Sequence, residues 1–312
     1  MAIVTLTMNP AIDLATEVDQ VWPTDKMRCA PPRFDPGGGG INVARTVAAL
    51  GAEVTAVFPA GGPAGVLLED LLRCTGVPTR PVPVASQTRQ NLAVTEHNGG
   101  GQYRFVFPGA RLTVPEQHRC LAEVERTAAG CEYIVASGSL PPGVPVDFYQ
   151  TLADMAAELG PRLVLDTSGA ALRAVRGGVY LLKPSVRELA DYVGHPLPAP
   201  ADRVTAARRL LDAGVSEIVV VSLGAQGAVA VHAEGTQYFD PIEVTVRSGI
   251  GAGDAMVGGM TVGLTRGLSL ADAVRLGIAS ATAALGTSGT RPGHPARIEE
   301  LFRELTAAAP AH

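Results

Sequence analysis

Cysteine is scarce in this 312-residue chain, and Cys29, Cys74, Cys120 and Cys131 show none of the close spacing that metal sites use. A chain of this length buries a sizeable core without disulfides. Met1-Ala2-Ile3-Val4 lacks the charged leader and apolar core of a signal segment, so a reduced, cytoplasmic protein is expected. Long hydrophobic runs are missing too. The most apolar stretch, residues 218–231, is interrupted by Ser222, Gly224, Gln226 and Gly227 and is too short for a bilayer of about 30 Å, so no membrane partner is expected. Basic runs are absent and the formal net charge is −5, which argues against a nucleic-acid partner while leaving small basic clusters free to hold a phosphorylated metabolite. The histidines, His97, His118, His195, His232, His294 and His312, do not cluster, and neither G-x-S-x-G nor H-E-x-x-H occurs. Hydrolase readings therefore have no nucleophile signature. The absence of G-x-x-x-x-G-K-[ST] excludes a Walker-type loop for any ATP, and without a strand followed by G-x-G-x-x-G a dinucleotide dehydrogenase is unsupported.

What the chain does contain is alternation. Apolar, β-branched runs at 3–7, 54–58, 133–136, 163–166, 179–183 and 218–222 alternate with helical patterns at 41–50, 66–72, 115–128, 146–159, 202–213, 254–264, 270–285 and 295–305. This predicts an α/β fold with a mainly parallel central sheet and helices on both faces. Ligands on such sheets lie beyond the carboxyl ends of the strands, which here carry Asp166, Lys183 and Ser222-Leu223-Gly224. Two segments break the rhythm, about 12–35 and 89–108; the second reads as strands 91–96 and 102–107 around Asn98-Gly99-Gly100-Gly101. Together they predict a small β-sheet lid over the strand ends, with a face and edges that a second subunit would cover, hence a homodimer. The whole of 1–312 is expected to be one unit.

The strongest motif is Gly251-Ala252-Gly253-Asp254 before an apolar run. If that run is a helix, backbone N–H groups and a positive dipole end face an anion beside a carboxylate, which is equipment for phosphoryl transfer. A glycine-rich turn with Asp254 as helix N-cap is the other reading. Asp35-Pro36-Gly37-Gly38-Gly39-Gly40-Ile41-Asn42 opens a second helix, where Gly38 and Gly39 permit close backbone approach and Asn42 suits sugar hydroxyls; a flexible turn with Asn42 near the cap is the alternative. Asp13 is either a third hydroxyl ligand or a turn residue. Lys26, Arg28, Arg89 and Arg104 lie in or beside the lid segments, as a phosphate-binding cluster or an ordinary solvated face. Glu188, in Lys183-Pro184-Ser185-Val186-Arg187-Glu188, and Asp166 suit Mg²⁺ held through water, or else act as first-turn residue and cap. The turn Ser222-Leu223-Gly224-Ala225-Gln226-Gly227 either passes close to a nucleotide or merely connects a hairpin.

Over essentially its full length the chain resembles the PfkB, ribokinase-like carbohydrate kinases. The residues 37–44 look like that family's N-terminal signature and Gly251-Ala252-Gly253-Asp254 like its catalytic one. Thr5-Leu6-Thr7-Met8-Asn9-Pro10, Thr88-Arg89-Gln90-Asn91, Gln102-Tyr103-Arg104-Phe105 and the stretch 137–143 resemble its phosphosugar branch, nearest the 6-phosphofructokinase type. The resemblance implies a ribokinase-like fold with a dimerising lid. It also implies transfer of the ATP γ-phosphoryl to a phosphorylated ketohexose with Mg²⁺, 1-phosphofructokinase and tagatose-6-phosphate kinase activities sharing the site design. Asp254 would be the base and the amides of Gly251, Ala252 and Gly253 the anion hole. Asp13, Gly38, Gly39 and Asn42 would hold the sugar, and Arg89, Lys26, Ser139, Arg28 and Arg104 its phosphate, some across a dimer. Lys183, Ser185, Ser222, Leu223, Gly224 and Gly227 would lie on the nucleotide side, Glu188 and Asp166 would organise Mg²⁺, and Ser248, Ile250, Gly289 and Arg291 would frame a K⁺ site. Ser185 stands where the family commonly has Asn, and Gly249 where it commonly has Thr.

Overall fold

The computed structural model describes residues 2–307. It begins with β1 (Ala2–Leu6), β2 (Ala11–Val18) and β3 (Arg33–Gly37), then α1 (Gly39–Ala49), β4 (Glu53–Ala60), α2 (Gly62–Arg73) and β5 (Thr79–Pro83). The hairpin β6 (Arg89–Glu96) and β7 (Gln102–Phe105) follows. Next come α3 (Val114–Ala128), β8 (Cys131–Ser137), α4 (Phe148–Leu159), β9 (Arg162–Asp166), α5 (Gly169–Arg173), β10 (Val179–Leu182), α6 (Val186–Val193) and α7 (Pro200–Asp212). The chain closes with β11 (Ser216–Ser222), β12 (Ala228–His232), β13 (Gly235–Phe239), α8 (Ala252–Thr265), α9 (Leu270–Leu285) and α10 (Pro295–Ala307).

Nine strands form the central sheet in the order β13-β12-β11-β10-β9-β8-β1-β4-β5. Every pairing from β5 to β11 is parallel, and β12 and β13 add an antiparallel edge. Because successive side chains point to opposite faces, each central strand feeds two cores. Ile3, Tyr133 and Val135 pack with Ile41, Val257 and Met260 on one side. Val4, Leu6, Ile134 and Ala136 pack with Val124, Leu152 and Leu210 on the other. Doubly buried strands read as continuous apolar runs, which is why their positions were predictable.

The lid is a separate four-stranded sheet, β3-β2-β6-β7, in which β2 and β6 run parallel with Asp13 opposite Asn91. Its outer strand β7 is exposed throughout, as are Trp22, Phe34, Tyr103, Phe105 and Phe107.

The structure moves several expected boundaries. The second lid strand stops at Phe105 rather than 107, and α2 starts at Gly62 because Pro63 in its first turn favours helix entry there. Strand β5 was not predicted; its two prolines suit only the sheet edge it occupies. Helix α8 begins at Ala252, so Gly251-Ala252-Gly253-Asp254 is the cap and first turn of the helix rather than a loop before it. Among the described residues no helix is long and apolar enough to cross a membrane.

Candidate active site

Gly251 caps α8 at φ 80°, a left-handed conformation that glycine adopts freely. The first amide to close a helical bond is that of Ala255, on the Gly251 carbonyl at 2.8 Å. The N–H groups before it are left to a ligand at the positive end of the helix dipole. Asp254 is not the cap. Its Oδ2 accepts the Asn42 amide at 2.9 Å and its Oδ1 the Ser137 hydroxyl at 3.1 Å. Burial, with the nearby Asp166 charge adding to it, pushes the Asp254 carboxyl up from 3.8 to about 7, against the pull of Asn42, Ser137 and Lys183. A carboxylate poised there is suited to general-base work at neutral pH.

The glycine run that opens α1 meets a packing demand. Gly38 sits at φ 111°, and a Cβ on Gly39 would strike the Ser137 hydroxyl. The absent side chain of Gly39 therefore makes room for Ser137, and Asn42 lies inside α1 rather than at its cap. Asn42 Oδ1 is buried without a partner, an acceptor still open.

On the lid side, Asp13 Oδ1 accepts the Asn91 amide at 2.8 Å; burial raises its pKa, and Arg89 and Arg104 oppose that. Arg89 donates to the carbonyls of Asn9 at 2.9 Å and Phe107 at 3.0 Å, while its Nε is buried and unpaired. Ser139 accepts the Asn9 amide at 3.0 Å. A small cleft between Asp13, Asn91, Arg104 and Ile250 joins the lid to the loop before α8. Lys26 and Arg28 are not brought in: both are exposed, with no hydrogen bond or ion pair among the described residues.

The opposite wall holds Lys183, whose ammonium pairs with Asp166 at 3.2 Å. Burial opposes its charge, but Asp166, Glu188 and Asp254 outweigh that and hold Lys183 above its ordinary pKa. Its Nζ lies 3.6 Å from where a Cβ on Gly253 would be, beside the free amides of α8. Asp166 caps no helix, since Ser168 precedes α5. Glu188 does fill the structural role: its Oε2 accepts the Ser185 N–H at 2.8 Å and the Ser185 hydroxyl accepts the Glu188 N–H at 3.3 Å, a capping box for α6. Ser222, Leu223 and Gly224 lead through a short 3₁₀ turn into β12, and a Cβ on Gly227 (φ 87°) would press on the Phe239 carbonyl, so its glycine serves the hairpin. At the expected cation loop, Ser248 Oγ accepts the Ile250 N–H at 3.3 Å and the Arg291 carbonyl accepts the Thr287 hydroxyl at 2.8 Å; Gly289 is packed against Arg33 and Asp35.

Sequence reasoning placed Ser137 and Asn91 in motifs of the phosphosugar branch but gave no role to either, though they hold Asp254 and Asp13. The available signal was positional, since Ser137 ends β8 opposite Asp166 at the end of β9.

The model of the pfkB family of carbohydrate kinases matches residues 2–297. This chain belongs to that family. As a pfkB kinase it is 52% identical over 305 residues to the ATP-dependent 6-phosphofructokinase isozyme 2 of Mycobacterium tuberculosis, covering 98% of this chain and 90% of that one. It also superimposes on Phosphofructokinase-2 from Escherichia coli in complex with fructose-6-phosphate, with TM-score 0.91 and 42% identity over 97% of this chain and 99% of that one. The same E. coli protein in complex with potassium gives TM-score 0.93 at 42% identity, over 97% and 99% of the two chains. The fold is ribokinase-like.

Proposed function

We propose that this pfkB kinase is an ATP-dependent 6-phosphofructokinase that transfers the γ-phosphoryl group to the 1-hydroxyl of fructose 6-phosphate. The observation that carries the reading is a buried carboxylate, Asp254, with a pKa of about 7 at the amide-rich start of α8, whose preceding loop meets at Ile250 a lid cleft lined by Asp13 and Arg104. The high identity to a named 6-phosphofructokinase supports the choice of sugar phosphate.

In this reading Asp13 and Asn42 orient the sugar, Arg89, Arg104 and Ser139 take its phosphate, and Gly38 and Gly39 form the floor. Asp254 accepts the proton of the attacking hydroxyl while the amides of Gly251, Ala252 and Gly253, with Lys183 beside them, stabilise charge developing on the transferred group. Asp166 senses the Glu188 charge, so two carboxylates share one wall; that donor set fits Mg²⁺ held through water, which supplies charge neutralisation on the phosphates. Ser248, Ile250, Gly289 and Arg291 would frame a monovalent-cation site, and the potassium complex of the E. coli protein supports K⁺ as a ligand of this chain. Ser185, Ser222, Leu223, Gly224 and Gly227 border the nucleotide side. The exposed aromatics of the lid support a dimer through that sheet, with Lys26 and Arg28 reaching across it, and residues 1–312 act as one catalytic unit in the cytoplasm.

ADP release with MgATP against fructose 6-phosphate, fructose 1-phosphate and tagatose 6-phosphate tests the assignment, with Asp254→Asn as control. Preference for fructose 6-phosphate is expected; preference for either of the others reassigns the substrate, and no turnover on any of them leaves a sugar-phosphate sensor.

A further inference from the structure

Among the residues that touch Asp254, Ser137 is the one with no direct place in substrate binding or phosphoryl transfer. It is 1% exposed, and its hydroxyl donates to Asp254 Oδ1 while Asn42 donates to Oδ2, so the carboxylate is gripped at both oxygens. A carboxylate fixed by one donor swings about the bond to its other end; two donors on different oxygens fix its plane as well as its position.

The backbone behind Ser137 is held with unusual thoroughness. Gly138, at φ 112°, donates its N–H to the Asp166 carbonyl at 2.9 Å. Its own carbonyl accepts two buried hydroxyls, Tyr149 at 2.9 Å and Thr167 at 3.0 Å. Tyr149 comes from α4 and Thr167 follows β9, so two neighbouring elements converge on one peptide group. Buried hydroxyls are costly unless paired, and both are directed at the turn that aims Ser137. From the other side Gly39 leaves the gap that the Ser137 hydroxyl fills.

We infer that Ser137 is a positioning residue for the catalytic base, and that Tyr149 and Thr167 act behind it by locking the Gly138 peptide. The inference rests on the kinase reading above, which gives Asp254 its role. Ser137 sets the direction in which Asp254 presents its second lone pair to the attacking hydroxyl. A misplacement of about 1 Å in such a group lowers rate by up to about 10²-fold without a matching loss of binding.

The test is Ser137→Ala in the full chain, read by steady-state kinetics with fructose 6-phosphate and MgATP and by a crystal structure of the variant. The expected result is a 10- to 100-fold fall in kcat with both KM values within about threefold of wild type, and an Asp254 carboxylate rotated away from its wild-type plane. Thr167→Val, which keeps the Ser137 hydroxyl and unties one bond to Gly138, should give a smaller fall in kcat with the same flat KM; it decides the matter if Ser137→Ala fails to fold. Unchanged kcat, a raised sugar-phosphate KM with kcat intact, or an Asp254 that stays in place in the Ser137→Ala structure would each overturn the inference. If the wild-type chain phosphorylates no sugar phosphate, the kinase reading falls, and the crystallographic comparison still decides whether Ser137 aims Asp254.

Discussion

The two sides of the cleft are built to different standards of completeness. Around Asp254 every contact is made within one chain: Asn42 and Ser137 grip the carboxylate, and Lys183 is paired with Asp166 behind it. On the lid, Asp13 and Arg89 are anchored, but Lys26 and Arg28 hold no partner among the described residues and a row of aromatics is exposed. The side that the proposal makes responsible for proton transfer is preorganised, where reorganisation would add to the barrier. The lid leaves an edge strand with apolar side chains exposed, a surface that a second copy of the chain would cover in the proposed dimer.

The largest expected effect comes from breaking the finished side. Asp254→Asn should lower kcat by about 10²–10⁴-fold, the contribution typical of a placed base, measured by ADP release. The same substitution should stabilise the fold at alkaline pH. The folded-state pKa of about 7 lies above the ordinary 3.8, so the native state keeps this proton between those values and loses stability as pH rises through them. Holding the group ionised above pH 7 costs on the order of 4 kcal/mol with its hydrogen bonds already included. Thermal melting should therefore show Asp254→Asn above wild type at pH 8, with the gap closing toward pH 4. In the wild type, kcat/KM should fall tenfold per pH unit below an inflection near 7, because only the deprotonated base accepts the proton.

Breaking the anchored part of the lid should act on binding instead. Arg89→Ala removes a charged donor of a kind worth about 1.5–3 kcal/mol, so a 10- to 100-fold rise in KM for the sugar phosphate is expected with a much smaller change in kcat. Phe105→Asp places a charge on the exposed strand β7; sedimentation velocity should show a shift toward monomer, accompanied by a rise of several-fold in the same KM. A monomer that keeps the wild-type KM would show that the lid needs no partner. The smallest effect should follow Ser185→Asn. Asn caps a helix about as well as Ser, so the melting temperature should hold, while the Mg²⁺ concentration for half-maximal rate shifts by at most about threefold.

Much of the central sheet was legible because strands buried on both faces must be apolar throughout and their crossover helices carry a 3.6-residue period. The motif at Gly251 was legible because a helix that receives an anion needs small residues at its start. The place of Glu188 in a first helical turn was legible, whereas its capping box with Ser185 emerged from the structure. The role of Ser137 was not legible, although it opens a recognised motif, because it comes from Asp254, 117 residues later. The lid was seen as two excursions, but its order, with β2 parallel to β6, was not.

The sequence by itself determined most strands and helices of the central α/β layers, and which helix start offers amides to an anion, since these depend on residues within a few positions of one another. Only the tertiary structure decided that Asn42 and Ser137 grip Asp254 from opposite sides, that Gly39 yields its space to Ser137, and that Lys26 and Arg28 stay apart from Arg89. Those outcomes depend on where distant strand ends meet, and burial there raises the proton affinity of Asp254 because water is excluded from around it.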